Sequence, residues 1–127
     1  MYTDDKRLLN LETVNPCIVI ASGDKQSIGV ILDMNIEASL TLELTRQELI
    51  GANLTTFIPK VYANHHNYWM NRYFDNNRET IINTQRRVYA MNRRGFIIPC
   101  DLLVKIIPDL SDGIKIVGMF AKINLRT

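Results

Sequence analysis

Residues 48–99 read ELIGANLTTFIPKVYANHHNYWMNRYFDNNRETIINTQRRVYAMNRRGFIIP. Glycine, proline and capping residues divide this stretch into short elements, since these residues end helices and form turns. The predicted pieces are, in chain order, a one-turn helix ending at Gly51, a turn over Leu54–Ile58 before Pro59, a helix over Val61–Phe74, a strand over about 85–92, a tight turn at Asn92–Gly95 and a strand from about 96. The stretch therefore predicts helices followed by a hairpin.

On its N-terminal side the chain predicts a short helix and a hairpin. Residues 4–14 have the apolar stripe Leu8, Leu9 and Leu11, and Pro16 would end this helix. Two apolar runs, Cys17–Ala21 and Ile28–Leu32, flank a turn rich in Gly and Asp and indicate two strands.

Two helix starts follow the hairpin. Asn35 can cap a helix in which Ile36, Leu40 and Leu44 share one face. Thr45 and Glu48 form a capping-box sequence, in which the threonine hydroxyl and the glutamate carboxylate bind each other's backbone amides.

On the C-terminal side, strands are predicted over 96–107 and 113–124, joined by the turn formers of residues 108–113. Neither the two N-terminal strands nor the three C-terminal strands are stable alone, so both groups are expected in one sheet. The chain stops in this strand-like segment, which predicts a domain cut from a longer protein.

The bulk composition limits the class of protein. A chain of 127 residues with 46% hydrophobic and 22% charged residues fits one globular domain. The net charge of +2 and two small arginine pairs do not favour nucleic acid as a partner. No apolar run reaches the roughly 20 residues that cross a bilayer, so this segment is not expected to insert in a membrane. Two cysteines make no disulfide framework, which favours a reducing, cytoplasmic location.

The order of these pieces resembles that of a PAS domain over residues 16–124. The resemblance implies an α+β fold with a five-stranded antiparallel sheet in the order 2-1-5-4-3, helices on one face, and a division into an N-terminal helical cap or linker (1–15) and a PAS domain (16–127). Two narrower groups also resemble this chain: the heme PAS domains of bacterial oxygen-sensor kinases and the PAS domains of protist membrane proteins of the tiny-macrocysts type. The second likeness is carried by Asn15–Ile18, Glu48–Gly51, Ile58–His66 and Gly95–Pro99.

The likeness to the oxygen-sensor kinases implies a heme site. His66 would bind the iron, Arg72 would contact a heme propionate, and Arg86 would lie near bound oxygen. However, Glu79–Ile81 stands where those kinases have a second propionate partner, a histidine. The chain is therefore expected to bind no cofactor, with heme through His66 as the alternative.

Other cofactors find less support in the residues. A flavin photosensor needs a reactive cysteine that Gly51–Leu54 lacks. His65 and His66 point about 100° apart on a helix, so they do not easily bind one metal ion. Cys17 and Cys100 would lie on strands about 9.6 Å apart, too far for a disulfide. No nucleophile elbow or phosphate loop is present, so an enzyme is not expected.

Alternation along the last two strands predicts the two faces of the sheet. The inner face, against the helices, would form a pocket filled mostly by side chains. Its predicted members are Tyr62, Trp69, Met70, Leu102, Val104, Ile116 and Gly118. Asp101 and Lys105 mark the other side as the outer face.

The outer face is nevertheless apolar, so something is expected to cover it. Its predicted interface residues are Leu103, Ile107, Val117, Met119 and Ile123, covered by Leu8 and Leu11 of the N-terminal helix, by a second copy, or by both. The chain is thus expected to be a sensory and protein-interaction module of a larger signalling or membrane protein. Its expected partners are a second copy, as a homodimer, or other domains of that protein, with small-ligand sensing in the core pocket.

Overall fold

The computed structural model describes residues 15–59, 85–109 and 113–123. Its strands are β1 (Cys17–Ser22), β2 (Ile31–Met34), β3 (Arg86–Met91), β4 (Ile97–Asp109) and β5 (Gly113–Lys122). Its helices are α1 (Ile36–Leu42) and α2 (Arg46–Leu49), with 3-10 turns at Lys25–Ser27 and Leu54–Phe57. The predicted helices over 4–14 and Val61–Phe74 lie outside the described residues.

All five strands form one antiparallel sheet in the order β2-β1-β5-β4-β3. This is the predicted order, and the three C-terminal strands lie within about two residues of their predicted bounds. The central strand β5 joins the two groups, because it pairs with β1 on one side and with β4 on the other. Neither group of strands is thus left as a separate sheet.

β2 begins later than predicted, at Ile31 rather than Ile28. The residues before it form a 3-10 turn and then a turn at Gly29, whose φ of +83° favours glycine. Val30 bridges to Asn53, although its carbonyl also accepts a hydrogen bond from the Ser22 amide of β1 at 2.8 Å. The strand begins after this turn.

The N-terminus of α1 is capped as predicted, but the helix buries a different face. The Asn35 side chain accepts a hydrogen bond from the Ala38 amide at 3.1 Å. It also binds the Ile18 amide and the Pro16 carbonyl, which fixes the start of the helix against β1.

Two of the three residues in the predicted apolar stripe of α1 are exposed, and the third, Leu44, packs against the core. The exposed fractions of Ile36 and Leu40 are 65% and 71%, whereas Ala38 and Leu42 are buried. Glu43 then ends the helix in the left-handed conformation, which removes Leu44 from it. The interpretation of Ile36, Leu40 and Leu44 as one helical face was therefore wrong for Leu44, whereas Ile36 and Leu40 do share a face of α1.

α2 and the turn after it follow the predicted chemistry. The Thr45 side chain accepts from the Glu48 amide, and the Glu48 carboxylate accepts from the Thr45 amide at 2.8 Å. Gly51 adopts a φ of +88°, and a 3-10 turn follows at Leu54–Phe57. The capping box is confirmed.

Arginine and glutamate side chains fasten the β3–β4 hairpin to the helices. The Arg93 amide donates to the Leu42 carbonyl at 2.9 Å, and Arg93 forms an ion pair with Glu48. Two guanidinium nitrogens of Arg94 bind both carboxylate oxygens of Glu43 at 2.8 and 2.6 Å. The predicted turn at residues 92–95 therefore joins β3 to β4 and also binds to α1 and α2.

The hydrophobic core lies between the inner face of the sheet and the helices. Phe57 and Phe120 stack there with ring centroids 6.2 Å apart. The buried core residues are Cys17, Val19, Ile31, Met34, Ala38, Leu42, Leu49, Phe57, Ala90, Ile98, Cys100 and Phe120.

Candidate functional site

The inner face holds those predicted pocket residues that the structure describes. Leu102 lies opposite Phe120 and packs on the core, and Val104 lies opposite Gly118. A Cβ on Gly118 would lie 3.7 Å from Leu102 Cδ1, which is an ordinary van der Waals distance, so the packing here does not require a glycine. Ile116 is buried.

The rest of the predicted pocket and most of the predicted heme site cannot be placed. Tyr62, Trp69 and Met70 lie outside the described residues, as do His66 and Arg72. Arg86 is exposed, and it lies opposite Leu102 in the register of β3 and β4. This places it on the inner face, on the edge strand β3. Both the pocket and the heme site therefore stay predictions.

The outer face forms rows across neighbouring strands. One row contains Leu103, Met119 and Ile18, and the next contains Lys105, Val117 and Ile20. The five apolar members of these rows are all half-buried. The structure thus joins the predicted residues of β4 and β5 to Ile18 and Ile20 of β1, which the sequence interpretation did not include, although they alternate with the core residues Cys17 and Val19.

Burial changes along the outer face. Ile107, at the far end of β4, is 49% exposed, whereas Ala121 and Ile123 are buried. Asp101 has an exposed fraction of 0%. Its use as a marker of the solvent side was half right: Asp101 is on the outer face, but solvent does not reach it.

A cross-strand ion pair explains how the charged side chain of Asp101 can be buried. Asp101 lies directly opposite Arg87 of β3, and Arg87 Nε donates to Asp101 Oδ1 at 3.1 Å. The Arg87 side chain is 21% exposed. A carboxylate removed from water needs such a partner, because an unpaired buried charge is strongly destabilising.

Both ends of the described domain lie beside this pair. Cys17 pairs with Phe120, so Pro16 enters the sheet at the level of Ala121, the neighbour of Asp101 on β5. At the other end, the Ile123 amide donates to the Pro99 carbonyl at 3.0 Å, two residues before Asp101. The segments before Pro16 and after Ile123 therefore leave the sheet within two residues of the Arg87–Asp101 row.

The two cysteines are free and buried, as expected. Burial raises the pKa of the Cys17 thiol, and it raises the pKa of Cys100 to about 12. Both thiols are therefore protonated and poor nucleophiles at neutral pH.

Within the described ranges, no group of three or more His, Cys, Asp or Glu side chains is placed to hold a metal ion. The helices in this part of the chain are also too short or too polar to cross a membrane.

Comparison of the chain with known proteins identifies its fold. No protein-family profile matches the sequence, and no curated protein matches it. Many solved structures do match, and they include several PAS domains that cover most of this chain, so the chain has the PAS fold.

Three of these structures illustrate the likeness. A PAS domain from Desulfitobacterium hafniense has a TM-score of 0.68 at 16% identity, covering 90% of this chain and 98% of that one. A domain of a sensory box sensor histidine kinase/response regulator from Geobacter sulfurreducens has a TM-score of 0.64 at 17% identity, covering 94% and 93%. A PAS domain in complex with ethanol, from a LuxR-family transcriptional regulator of Burkholderia thailandensis, has a TM-score of 0.63 at 13% identity, covering 89% and 93%.

Proposed function

We propose that this domain is a sensory and protein-docking module of a larger signalling or membrane protein, and that it docks through the outer face of its sheet. The observation that carries the proposal is the row of apolar side chains, Ile18, Met119 and Leu103, across the three strands β1, β5 and β4. When one face of an antiparallel sheet is in contact with water, the side chains on that face are usually polar. Similar folds in a sensor kinase and a transcriptional regulator support the signalling role.

The occupant of this face that we propose is the chain's own N-terminal segment. It reaches the sheet at Pro16, next to Ala121, and it carries the apolar residues Leu8 and Leu11. Burying the three side chains of the apolar row, Ile18, Met119 and Leu103, would contribute roughly 1.5–3 kcal/mol each. A second copy, as a homodimer, or a neighbouring domain would dock at the end of the face near Ile107, which is half exposed.

Met119→Asp tests the docking surface. The variant places a carboxylate in the middle of the apolar row while the inner core stays unchanged. We expect faster proteolysis or hydrogen exchange within residues 1–14, or weaker self-association in light scattering. Ile36→Asp is the matched control, because it puts the same charge on an exposed apolar position of α1 that lies on the other side of the sheet.

Two results would count against the proposal. The first is an unaltered oligomeric state together with unaltered protection of residues 1–14 in Met119→Asp. The second is an equal effect of Ile36→Asp, which would mean that added charge rather than the outer face causes the change.

Ligand sensing in the core is the other part of the proposed function. It is supported by the similar domain solved with ethanol and by the inner-face position of Leu102, Val104 and Gly118. The core would be mostly filled, so its ligand would be small. Heme bound through His66 is the alternative, with Arg86 on the correct face to approach it.

A further inference from the structure

We propose that β3 is an open edge of the sheet, at which an extended, acidic segment of another protein binds as an added strand. This inference goes beyond the proposed function, because it assigns a second docking surface that lies at the edge of the sheet and not on its outer face. Recognition would depend on backbone hydrogen bonds, the mode known as β-augmentation.

The hydrogen-bonding pattern of the β3–β4 hairpin leaves two residues of this edge open. The Asn92 amide donates to the Phe96 carbonyl at 3.0 Å, so these residues form a hydrogen-bonded pair across the hairpin. Along an antiparallel ladder, such pairs alternate with pairs whose backbone groups point away from the partner strand. In the register of β3 and β4, Tyr89 and Met91 belong to the second kind.

The bonds of the neighbouring residues agree with this assignment. Pro99 lies opposite Tyr89, and its carbonyl points away from β3 to accept a hydrogen bond from the Ile123 amide at 3.0 Å. Among the bonds of the described residues, none joins the backbone of Tyr89 or Met91 to a group on the open side of β3. The amides and carbonyls of both residues are therefore available to an added strand from outside the domain.

The opposite edge of the sheet differs, because residues of the domain itself bind to it. The Ile31 amide of β2 donates to the Ala52 carbonyl, and the Ile31 carbonyl accepts from the Gly51 amide, both at 2.8 Å. The Arg46 guanidinium binds the Met34 carbonyl at 3.2 Å. A partner strand is therefore expected at β3 and not at β2.

The side chains beside the open backbone groups are apolar. Tyr89 and Ile97 have exposed fractions of 48% and 53%, and the half-buried Met91 lies opposite Ile97 on the same side of the hairpin. A strand paired with Tyr89 and Met91 would place alternate side chains next to theirs. The partner segment is therefore expected to have apolar residues at alternate positions.

The charge of the hairpin favours an acidic partner over a second copy of this chain. Residues 85–97 contain the pairs Arg86–Arg87 and Arg93–Arg94 and no acidic residue. Arg93 and Arg94 remain 51% and 59% exposed although each binds a glutamate. If two copies of β3 paired antiparallel, the first arginine pair of each copy would approach the second pair of the other, and like charges across strands are destabilising. Carboxylates at the ends of an added strand would instead be attracted to both pairs.

Titration of the full chain with a synthetic peptide tests the inference. In the peptide, valine and threonine alternate, and glutamates stand at both ends. Amide hydrogen exchange is followed by NMR at each residue of β3. Without peptide, the amides of Val88 and Ala90 should exchange slowly because they point to β4, whereas those of Tyr89 and Met91 should exchange fast.

The expected result is selective protection. With the peptide bound, the amides of Tyr89 and Met91 should exchange about tenfold more slowly or less, while those of Val88 and Ala90 change little. A peptide with lysines at its ends should bind about tenfold more weakly at low salt. A peptide with alternate backbone nitrogens methylated should give no protection, since it cannot donate to the Tyr89 and Met91 carbonyls.

A substitution in β3 tests the same bonds from the side of the protein. Tyr89→Pro removes an amide that points to the open edge, so the ladder with β4 is kept while peptide binding is lost. Tyr89→Ala is the matched control, because it also removes the ring but keeps the amide, and it should still bind the peptide. If Tyr89→Pro does not unfold cooperatively, the methylated peptide decides instead, because it leaves the protein unchanged.

Three results would overturn the inference. The first is equal binding of the methylated peptide, and the second is equal binding of the lysine peptide. The third is protection of Tyr89 and Met91 that is present without peptide and increases with protein concentration, because a second copy would then occupy the edge. Met119→Asp should leave peptide binding unchanged, so the outer face can fail as a docking surface without affecting this result, and the reverse also holds.

Discussion

The carboxylate of Asp24 accepts a hydrogen bond from the backbone amide of Ile114, 90 residues further along the chain, at 3.1 Å. Asp24 belongs to the β1–β2 connection, and Ile114 is the second residue of β5. In the same place the Gly23 amide donates to the Ile114 carbonyl at 2.7 Å. The first connection of the sheet therefore fixes the start of its central strand.

Gly113→Ala should be among the most destabilising glycine substitutions in this domain. Gly113 has a φ of +85°, and a Cβ on it would overlap the Asp24 carboxylate. The left-handed conformation costs roughly 1–2 kcal/mol for alanine, and moving Asp24 away would break its bond to Ile114. Gly95→Ala is the control, because Gly95 has a φ of +84° but no atom near the added Cβ. Equal losses of unfolding free energy in urea would show that the contact with Asp24 does not matter.

Acid should loosen the attachment of the β3–β4 hairpin. The hydrogen bonds from Arg94, and then the charges of Arg94 and Arg93, lower the pKa of Glu43 below its usual 4.5. A carboxyl with a lowered folded-state pKa contributes stability above pH 4.5 and loses it as pH falls through the lowered pKa. Thermal unfolding of wild type and Glu43→Gln should therefore differ at pH 7 and converge in stronger acid. Salt should reduce the difference at pH 7, since both side chains are accessible to solvent. A difference that persisted in strong acid would rule out the ion pair as its cause.

Thr45→Ala should lower stability through the cap of α2. The variant removes the acceptor for the Glu48 amide and half of a reciprocal pair of hydrogen bonds. The expected loss in the free energy of unfolding is about 0.5–2 kcal/mol. Thr56→Ala, at an exposed threonine in the next turn, is the control and should have a smaller effect. An unchanged urea midpoint for Thr45→Ala would mean that the cap adds nothing.

The two thiols should be unreactive until the protein unfolds. Burial raises the pKa values of Cys17 and Cys100, so a thiol reagent at pH 8 should modify the native protein far more slowly than a urea-denatured sample. Stability should also fall in alkali. Above about pH 9 the unfolded thiols lose protons, whereas Cys100 holds its proton until about pH 12, so the unfolded state is increasingly favoured across this range. Cys100→Ala should reduce that alkaline loss, and an unchanged profile would contradict the assignment.

The absorption spectrum of the purified protein separates the proposed small-ligand sensor from the heme alternative. A domain whose core is filled by side chains should be colourless, and it should stay so after incubation with hemin. A Soret band that disappears in His66→Ala would instead support heme bound through this histidine. His65→Ala is the control, since the adjacent side chain points in a different direction on a helix.

Apart from the strand order, which the resemblance to PAS domains implied, the features that the sequence predicted correctly depend on residues close together in the chain. The cap of α1 involves Asn35 and Ala38, and the capping box of α2 involves Thr45 and Glu48. Alternation also assigned the two faces of β4 and β5 correctly, because successive side chains of a strand point to opposite sides.

The features that sequence reasoning missed depend on distant contacts. The turn before β2 contains a bridge between Val30 and Asn53, and the start of α1 is held by the bonds of Asn35 to Pro16 and Ile18. Of the candidate site, the apolar outer face could be predicted from alternation. The complete burial of Asp101 could not, because it depends on what covers the strand and not on the strand's own pattern.

The two ends of the domain meet at the same end of the neighbouring strands β1 and β5, and this determines how the domain would respond to a mechanical load. β1 and β5 are antiparallel neighbours, and Cys17 lies opposite Phe120 near the points where both strands connect to the rest of the chain. Tension between the flanking segments would act across the interstrand hydrogen bonds at this end. The two strands would then separate one pair at a time, starting from Cys17 and Phe120, instead of sliding past each other with all bonds loaded together. Such a domain would yield at low force, and its first opening would occur beside Arg87 and Asp101.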